Sequence, residues 1–537
     1  MSALRPFAPY PFTAATHPAR LPPLASGVDA QRHAVAIVGG GPVGLTAAIG
    51  LALHGVRSVL IEADDGVCAG SRAICISRRS LEIAQRLGAL DGFLDIGLPW
   101  TGGRSYYRDT EVLHFSMPTD DHQKLPPMVN LAQYHIEDIL LKRAEQLAEF
   151  IDIRWQTRVT QIDAGTHGLR LALTSPAGDY ALDADWGVAT DGGRSFIRDS
   201  LGLKLEGTSY EGRYVIVDIL LDSARPAERL AYFDPPCNPG STVLVHKQPH
   251  GVWRIDYQLR DGEDPDDAVK PKNVMPRIDS LLAMMGETGA WSPVWITLYK
   301  AHALTLPTYR HGRVLLAGDA AHLVPIFGVR GANSGIDDAD NLAWKLGFVV
   351  RGEASEALLD SYSQERVAAA HENLWHGSKS TEFMAPPSFA FDLMRTAVLG
   401  LAAKHRPLRA LINPRQTSPI AYTASPLNGA SDGFSAGPPP GSVLPECPLG
   451  DGHITELLGN GFTALYFGEQ SDAPALPCTL RAIPRAADST GHLYPMYGAI
   501  DGTLYLVRPD GHVLARWRDA RDADATGAIN RALHGAS

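Results

Sequence analysis

The sequence predicts a chain of mixed α/β and α+β class, in which a Rossmann-like dinucleotide-binding part is joined to a separate β-sheet. Two glycine-rich segments predict the first part: GGGPVG at Gly39 to Gly44, and a longer segment from Gly318 to Leu346. Strand-like alternation between them predicts the sheet. Because both segments are of a kind that binds phosphates and sugars yet lie far apart in the chain, they indicate one large dinucleotide, and FAD fits best.

The first glycine-rich segment has the order strand, tight turn, helix. Val35 to Val38 is a short apolar run suited to a buried parallel strand, and an apolar helical segment runs from Leu45 to Leu53. In such a turn Gly39 allows the bend, Gly41 lets pyrophosphate approach the backbone, and Gly44 lets the helix pack on the strand. The phosphates are therefore expected at the free N–H groups and positive dipole end of this helix.

An acidic residue follows at the spacing expected for a ribose contact. The second strand, Val56 to Ile61, ends at Glu62, which lies 21 residues after Gly41. At about this spacing an acid contacts the adenosine ribose. The alternative is a solvated surface acid, but the strand, helix and acid in register favour the ribose contact.

Composition limits the classes of function. The chain has 537 residues, enough for about three or four domains. Its formal charge of −11 argues against a nucleic-acid or anionic-membrane surface, so we expect small-molecule chemistry. The five cysteines are scattered, without a C-x-x-C pair, and therefore indicate neither a disulfide framework nor a zinc site. A reducing cytoplasm fits best, and no metal is expected.

Residues 1–32 are predicted to form an arm that lies on the surface or is disordered. The segment contains six prolines and has no continuous apolar run of the kind found in a secretory signal. No later run reaches the roughly 18 apolar residues that a membrane-spanning helix needs.

The second glycine-rich segment is predicted to bind another part of the same cofactor. Arg313 to Ala317 is a short apolar strand that brings Gly318 and Asp319 to its carboxyl end, where ligands bind in open α/β sheets. Asp319 could accept hydrogen bonds from a ribityl hydroxyl. A helix is predicted to begin with Asp337 and Asp338 in its first turn, and its N-terminus would stabilise negative charge on a reduced flavin. The alternative is a glycine-rich surface loop before a capped amphipathic helix.

Three motifs carry a resemblance to a known family. GGGPVG, TDGGRSFIR (Thr190 to Arg198) and GDAAHLVP (Gly318 to Pro325) resemble, in order and spacing, the fingerprints of the class A single-component FAD-dependent aromatic hydroxylases, the superfamily of para-hydroxybenzoate hydroxylase. The resemblance covers nearly the whole chain from about His33. The part from Gly318 to Leu374 is most similar to the hydroxyphenylpropionate and phenol hydroxylase-like branch.

The resemblance implies an activity. NADH or NADPH would reduce FAD, dioxygen would add to give a flavin hydroperoxide, and one oxygen atom would pass to a phenolic ring. It implies a cytoplasmic enzyme that acts on a small aromatic compound, with no nucleic-acid or membrane partner, and it leaves a homodimer open. The alternative is an FAD-dependent oxidoreductase of the same fold that does not insert oxygen. The sequence shows no nucleophile elbow and no cysteine–histidine signature, so the chemistry is assigned to the cofactor.

The resemblance also implies roles for individual residues. Arg72 would lie near the pyrophosphate, Gln133 near the ribityl chain or flavin, and Asp191 would support both FAD and the nicotinamide nucleotide. Arg194 and Arg198 lie nearby in sequence, with ion pairs to Asp191 and Asp199 as the alternative. The expected cofactor-binding residues are Gly39, Gly41, Gly44, Glu62, Arg72, Gln133, Asp191, Gly318, Asp319, Gly331 and Asn333.

Two positions of the loop after His322 depart from the family pattern, and the first is Pro325-Ile326, where many relatives have two prolines. Arg330 stands between Gly328 and Gly331, where many relatives have G-Q-G. It could neutralise a reduced flavin or point to solvent.

Residues 204–307 are expected to form the sheet that covers the substrate pocket. In VWRIDYQL, Trp253 and Tyr257 point one way and Arg254 the other. The two aromatic residues could line a cavity and Arg254 could bind a substrate carboxylate. The favoured alternative is an amphipathic strand with an apolar core face and a polar face that includes Arg254 and Asp256. The pocket candidates are Tyr210, His246, Trp253, Arg254, Tyr257 and Pro325, and the base that deprotonates the phenol is unassigned.

A Gly/Pro-rich linker, GPPPG at residues 437–441, indicates a domain boundary. Strands at 462–467, 504–507 and 513–517 predict a compact α/β unit, which resembles the thioredoxin-like C-terminal domain of the phenol hydroxylase branch. The predicted division is an arm (1–32), a first FAD-binding segment (33–203), a substrate sheet (204–307), a second FAD-binding segment (308–372), a helical connection (373–436) and the thioredoxin-like domain (437–537).

Overall fold

A ten-stranded mixed sheet, the first sheet, contains the strand that leads into GGGPVG. The computed structural model describes residues 5–70, 73–118, 120–260, 262–412, 416–431 and 433–535. Five strands of the first sheet are parallel and lie in the spatial order Val314–Leu316, Tyr180–Ala189, His33–Val38, Ser58–Ile61 and Ile151–Arg154. Its other strands are Leu24–Ala25, Val28–Asp29, Arg158–Gly165, Gly168–Thr174 and Arg310–His311.

The parallel strands form because they are short apolar runs that helices cover. Ser58–Ile61 is buried along its whole length, as expected for a parallel strand packed on both faces. The helix Pro42–Leu53 follows the glycine turn and packs against the helices Gln133–Glu145 and Gly331–Val350. The glycine turn therefore lies at the carboxyl end of a buried strand, where a nucleotide binds in this kind of sheet.

An eight-stranded sheet, the second sheet, is built mostly from residues between the two glycine-rich segments. Its strands, in spatial order, are His322–Leu323, Trp291–Thr305, Glu206–Leu221, Val252–Gln258, Thr242–Lys247, Arg229–Phe233, Gly102–Tyr107 and Thr110–Ser116. The helix Pro271–Met285 packs on one face, which we call the outer face. The opposite, inner face contacts Cys75 and, from the second glycine-rich segment, Phe327.

The second sheet takes three strands from outside its predicted range of 204–307, and one of them is His322–Leu323 from the second glycine-rich segment. Gly102–Tyr107 and Thr110–Ser116 belong to the predicted segment 33–203 but pair with this sheet, because Gly102–Tyr107 runs parallel to Arg229–Phe233. Because the paired strands are far apart in the chain, no local sequence pattern predicts that they pair. The domain boundaries themselves stay a prediction.

Smaller sheets complete the fold. Cys75–Ser77, Met128–Asn130 and Leu98–Trp100 form a three-stranded sheet, and Pro448–Leu449 pairs with Gly452–His453. The C-terminal sheet has the order Thr479–Ile483, Thr463–Phe467, Thr503–Val507 and Val513–Trp517, with the first pair parallel and the others antiparallel.

Twelve α-helices are found in the described part of the chain. They are Pro42–Leu53, Arg78–Leu87, Leu90–Ile96, Gln133–Glu145, Phe196–Ser200, Pro265–Ala268, Pro271–Met285, Gly331–Val350, Leu358–Met384, Phe389–Ala402, Leu493–Tyr497 and Ala525–His534. Of the helices in the described ranges, none combines the length and the apolar character that crossing a bilayer requires.

Candidate active site

The glycine turn has the shape of a phosphate cradle. Gly39 has φ +107°, and a Cβ there would lie 2.5 Å from the carbonyl oxygen of Thr190. A Cβ at Gly44 would overlap the carbonyl oxygen of Gly39. At Gly41 the nearest atom to an added Cβ is Glu137 Oε1, at 3.9 Å, so space is open at the helix start. The helix has no side-chain cap and no acid in its first turn, which leaves its N–H groups available to an anion.

Glu62 supports this turn from the neighbouring strand. Its carboxylate accepts hydrogen bonds from Gly40 N at 2.5 Å and from Asp64 N at 2.8 Å. Burial raises the pKa of Glu62, since the side chain is partly enclosed. Glu62 is therefore not the solvated surface acid of the alternative interpretation.

Glu137 is a second acid near the cradle, and the sequence argument missed it. Its carboxylate accepts hydrogen bonds from Cys68 N at 2.6 Å and from Gln133 Nε2 at 2.8 Å. Burial raises its pKa. Gln133 also accepts a hydrogen bond from Ala73 N at 3.3 Å, so it connects Glu137 to the segment that precedes the strand Cys75–Ser77. Arg72, also predicted to bind the cofactor, lies outside the described residues.

The TDGGRSFIR motif holds its own loop and touches GDAAHLVP. Asp191 accepts hydrogen bonds from Ser195 Oγ at 2.5 Å and from Ile197 N at 3.0 Å. Arg198 is buried, donates to the carbonyl oxygen of Ala320 at 3.4 Å and pairs with Asp199 at 3.3 Å. Arg194 is exposed. The ion-pair interpretation thus holds for Arg198 with Asp199.

Asp338 anchors the GDAAHLVP motif. It accepts hydrogen bonds from Gly318 N at 2.9 Å and Arg366 Nε at 2.6 Å, and it contacts His322 Nε2 at 2.6 Å. Burial raises its pKa, but His322 and Arg366 outweigh burial and lower the pKa to about 2. Asp319, in contrast, is exposed at the carboxyl end of its strand. Its position leaves its carboxylate accessible to a ligand.

The helix after this motif begins earlier than predicted. It starts at Gly331, so Asp337 and Asp338 lie in its second turn and its first turn contains no acid. Packing explains the difference, because a Cβ at Gly335 would lie 2.7 Å from the side chain of Val43 in the first helix. This close contact imposes helix on a glycine-rich sequence of low helix propensity.

The side chain of Asn333 is already engaged by protein groups. Its Oδ1 accepts hydrogen bonds from Ser77 N at 2.9 Å and Ser80 Oγ at 2.7 Å. Its Nδ2 donates to the carbonyl oxygens of Cys75 at 3.0 Å and Val329 at 2.7 Å. An amide side chain has two donors and two acceptor sites, so the prediction that Asn333 binds the cofactor is corrected for its side chain. Gly331 supplies backbone N–H at the helix start.

Arg330 points into the protein rather than to solvent. It is buried and donates hydrogen bonds to Asn373 Oδ1 at 2.9 Å and to the carbonyl oxygen of Gln416 at 3.1 Å. It therefore ties the glycine loop to the long helix Leu358–Met384.

Two pocket candidates lie on the outer face of the second sheet. Trp253 and Tyr257 belong to the apolar cluster that packs against the helix Pro271–Met285. Arg254, their neighbour in sequence, points to the opposite face. The prediction that Trp253 and Tyr257 line a substrate cavity is corrected, since strand alternation turns them away from the cofactor segments.

Five side chains on adjacent strands form a row across the inner face, which we call the cross-strand row. Strand register pairs them in the order Trp295, Asp218, Arg254, His246 and Arg229. Arg254 donates to Asp218 at 2.8 and 3.1 Å, and both residues are buried. The charge of Arg254 is therefore neutralised within the protein, which corrects the prediction that Arg254 binds a substrate carboxylate.

Arg229 is the cation of this row that the sequence argument missed. It is 3% exposed, and its Nε and Nη1 have no hydrogen-bond partner among the described residues. Burial lowers the pKa of Arg229 and also lowers the pKa of His246 to about 3, so the imidazole is neutral. The next position along the inner face is Asp256, whose pKa burial raises to about 7 and whose Oδ1 lacks a partner in the described ranges.

An aromatic and aliphatic cluster lies beside these polar groups. Tyr214 and Phe327 pack edge to face, with ring centres 5.3 Å apart, and Trp100 and Leu244 belong to the same cluster. The hydroxyl of Tyr214 and Nε1 of Trp100 are buried without a hydrogen-bond partner in the described chain. An apolar enclosure with a few unsatisfied polar atoms is typical of a small-molecule site.

The remaining pocket candidates lie on the loop side of this cluster. Pro325 is buried and packs against Gly377 of the long helix. A Cβ added at Gly377 would lie 3.2 Å from the side chain of Pro325. Tyr210 packs with Ala303, Val324 and Leu374. Both residues thus border the loop that follows the GDAAHLVP motif.

Comparisons with known proteins agree with this arrangement. Residues 32–375 match the family model described as FAD binding domain. The chain is 30% identical to a 3-(3-hydroxy-phenyl)propionate/3-hydroxycinnamic acid hydroxylase of Klebsiella pneumoniae, over 81% of the chain and 78% of that enzyme. It is 29% identical to the 6-methylpretetramide 4-monooxygenase of Streptomyces rimosus, over 96% and 95%. With the propionate/cinnamate hydroxylase of Mycolicibacterium smegmatis, at 32% identity, the match spans 62% of the chain and 58% of that enzyme.

Solved structures support the same fold. The flavin-dependent monooxygenase PieE, in complex with FAD and substrate, has a TM-score of 0.80 at 22% identity and covers 94% of this chain and 100% of its own. Aklavinone-11 hydroxylase, in a ternary complex with FAD and aklavinone, has a TM-score of 0.75 at 24% identity, over 94% and 99%. The predicted fold class, with a Rossmann-like part, a β-sheet part and a thioredoxin-like C-terminal part, is confirmed.

Proposed function

The chain belongs to the family of FAD-binding aromatic hydroxylases, and from this premise we propose that it inserts one oxygen atom of dioxygen into a phenolic ring, with NADH or NADPH as reductant. The observation that carries the proposal is the inner-face cluster, which includes Phe327 of the second glycine-rich segment and contains buried polar atoms without a hydrogen-bond partner among the described residues. Bound FAD supplies the redox chemistry and the activation of dioxygen.

The described residues fit FAD. Gly39, Gly41 and Gly44 leave backbone N–H groups and open space for a pyrophosphate, and Glu62 retains acceptor capacity for a ribose hydroxyl. Asp319 is the accessible acid at the second strand end, suited to a ribityl hydroxyl. The uncapped N-terminus of Gly331–Val350 would stabilise negative charge on the reduced ring.

The substrate is proposed to bind between the inner face and the loop that contains Pro325. Arg229 would bind an anionic or strongly polar group of the substrate, because its buried Nε and Nη1 have no hydrogen-bond partner in the described residues and such a group would supply one. Tyr214 and Phe327 would pack against the ring. The substrate class is therefore a phenol that bears a carboxylate or an ionised hydroxyl.

Asp256 is proposed to accept the phenol proton at Oδ1. It lies on the inner face among Arg229, Arg254 and Tyr214, it is buried, and Oδ1 has no partner in the described residues. A carboxylate that titrates close to neutral pH is suited to general base catalysis. Removal of the proton makes the ring richer in electrons where oxygen is inserted.

Labelled dioxygen tests the function directly. FAD-loaded protein would be given NADH or NADPH, ¹⁸O₂ and a panel of phenols, phenolic acids and polycyclic phenols, with products detected by mass spectrometry. A product that gains one labelled oxygen would establish the hydroxylase. Nicotinamide oxidation that yields only peroxide across the panel would favour the alternative, a reductase that does not insert oxygen.

Substitutions of Arg229 test the substrate class. Arg229→Leu should raise KM for phenolic acids about tenfold or more, whereas Arg229→Lys should retain part of the affinity. Tyr257→Phe, on the outer face of the same sheet, is the matched control and should leave KM unchanged. Equal effects of Arg229→Leu on acidic and neutral phenols would contradict an anion-binding role.

A cytoplasmic location stays a prediction, and a homodimer remains open.

A further inference from the structure

The N-terminal arm lies outside the matched family domain, which begins at residue 32. Its prolines favour extended backbone, both at their own positions and at the residues before them. Along this stretch Ala8, Tyr10 and Phe12 are half-buried, while the intervening Pro9 and Pro11 are exposed. The arm therefore lies on the protein as an extended segment with one face turned inward.

The first part of the arm contacts the second sheet. Arg5 pairs with Asp279 at 3.1 Å and lies over the ring of Trp291 at 4.7 Å. Ala8 N donates a hydrogen bond to the carbonyl oxygen of Pro293 at 2.8 Å. These contacts place the arm beside the strand that contributes Trp295 to the cross-strand row.

Tyr10 contacts that row at Asp218. Its hydroxyl donates a hydrogen bond to Asp218 Oδ2 at 3.3 Å, and Asp218 is the buried partner of Arg254. Burial and then the charge of Asp218 raise the pKa of Tyr10 well above its usual value, so the hydroxyl stays protonated and donates. The arm is thus fixed to the substrate side of the protein by a buried acid.

The next part of the arm contacts the cofactor-binding side. Phe12 stacks on Tyr134, with ring centres 5.0 Å apart, next to Gln133. His17 N donates to the carbonyl oxygen of Asp65 at 2.6 Å, and the His17 ring stacks on Trp155 at 4.6 Å. The arm therefore packs on residues 63–70, which follow Glu62.

We propose that the arm is a strap that retains FAD, fixed by Tyr10 to the second sheet and by Phe12 and His17 to the cofactor-binding side. Its contacts join the second sheet to the segment after Glu62, and under this proposal the ADP half of FAD leaves only after the strap detaches. The inference rests on the proposed FAD site but not on the identity of the substrate.

The release of FAD from the full-length holoprotein tests the strap. Phe12→Ala should raise the FAD release rate at least about tenfold, measured as the return of free-flavin fluorescence after dilution, and should speed amide exchange in residues 63–70. Phe7→Ala is the matched control, because Phe7 lies on the same arm but is 49% exposed. It should change the rate less than about twofold. Equal release rates for Phe12→Ala and Phe7→Ala would overturn the proposal.

Two further variants keep the test decisive. If Phe12→Ala fails to fold, as judged by circular dichroism, His17→Ala should show the same faster release, and an unchanged rate would refute the strap. Tyr10→Phe keeps the ring and removes the hydrogen bond to Asp218, so release should rise by about threefold. If Tyr10→Phe released FAD at the wild-type rate, the Tyr10 hydroxyl would not anchor the arm. A failed hydroxylation assay would leave these release rates unaffected.

Discussion

At the scale of single residues, two glycines at the nucleotide turn are required for different reasons. Gly39 needs its positive φ, whereas Gly44 lies in a helix with ordinary dihedrals and is required by space alone. The oxygen that an added Cβ at Gly44 would meet belongs to the backbone, so it cannot move aside as a flexible side chain would.

Gly44→Ala should therefore be costly despite the higher helix propensity of alanine. We expect destabilisation of about 2 kcal/mol or more and at least tenfold weaker FAD binding, measured by thermal unfolding and by flavin absorbance per protein. Gly400→Ala is the matched control, because this helical glycine has open space around it and the substitution should stabilise by up to about 1 kcal/mol. If Gly44→Ala were as stable as Gly400→Ala and bound FAD as tightly, the backbone of the turn would be able to shift and make room for the added Cβ.

Asp256 makes stability depend on pH with a defined sign. Its folded pKa of about 7 exceeds the usual value near 4, so between these values the folded protein holds one proton more than the unfolded chain. The contribution of Asp256 to the free energy of unfolding is fully present below about pH 4 and is lost as the pH rises to 7. The free energy changes by at most about 1.4 kcal/mol per pH unit.

Asp256→Asn should remove that dependence. Relative to the wild type, the variant should gain in unfolding free energy as pH rises to 7, with no further gain above it. Urea unfolding at a series of pH values between 5 and 8 measures the difference. A difference that is constant with pH would contradict the raised pKa.

At the scale of elements, the helix Gly331–Val350 is positioned by one buried acid. Asp338 holds Gly318 N, His322 and Arg366 together, and it thereby sets the helix start against the GDAAHLVP motif. The placement of the helix N-terminus toward the proposed flavin site thus depends on a residue in the second turn, not on a cap.

Asp338→Ala should leave Arg366 buried without this counter-charge and cost about 3–5 kcal/mol, with loss of bound FAD. Asp319→Asn, at the exposed end of the same motif, should weaken FAD binding while the melting temperature of the apoprotein stays nearly unchanged. Calorimetry of both apoproteins together with FAD titration separates the two effects. A stable Asp338→Ala variant with full FAD content would refute the anchoring role.

At the scale of the whole molecule, the C-terminal sheet docks on the cofactor-binding part through a buried charge network. Glu365 pairs with Lys345 at 2.7 Å and with Arg508 at 2.7 Å, and all three side chains are fully buried. Burial raises the pKa of Glu365, but Arg508 and Lys345 outweigh it and hold the pKa far below its usual range. Trp344 adds a hydrogen bond to Asp510 at 3.0 Å.

Glu365→Gln should destabilise the protein by about 3–5 kcal/mol, because buried Lys345 loses its ion-pair partner and buried Arg508 keeps only Asp510. The wild type should lose this contribution as pH falls below about 4.5, the usual range of a glutamate, and the variant should not. Asp138→Asn, which breaks the partly exposed pair with Lys142, is the control and should hardly move the melting temperature. A small effect of Glu365→Gln would mean that apolar packing alone holds the domains together.

Much of the fold and part of the site were predictable from the sequence, for physical reasons that are local. The glycine turn, the acid after the second strand and the alternation of Val252–Gln258 each depend on neighbours within a few residues. The start of Gly331–Val350 was predicted wrongly, because contact with the first helix overrides the low helix propensity of its glycines.

The sequence by itself determined the fold class, the FAD-type cradle and the alternation of the sheet strands, because turn geometry and side-chain period are local properties of the backbone. Only the tertiary structure decided which polar residues face the site. Arg254 is neutralised by Asp218 from a neighbouring strand, whereas Arg229 is buried without such a partner in the described chain. Cross-strand pairing joins residues far apart in the chain, so the charge state of the pocket is encoded in the fold rather than in a motif.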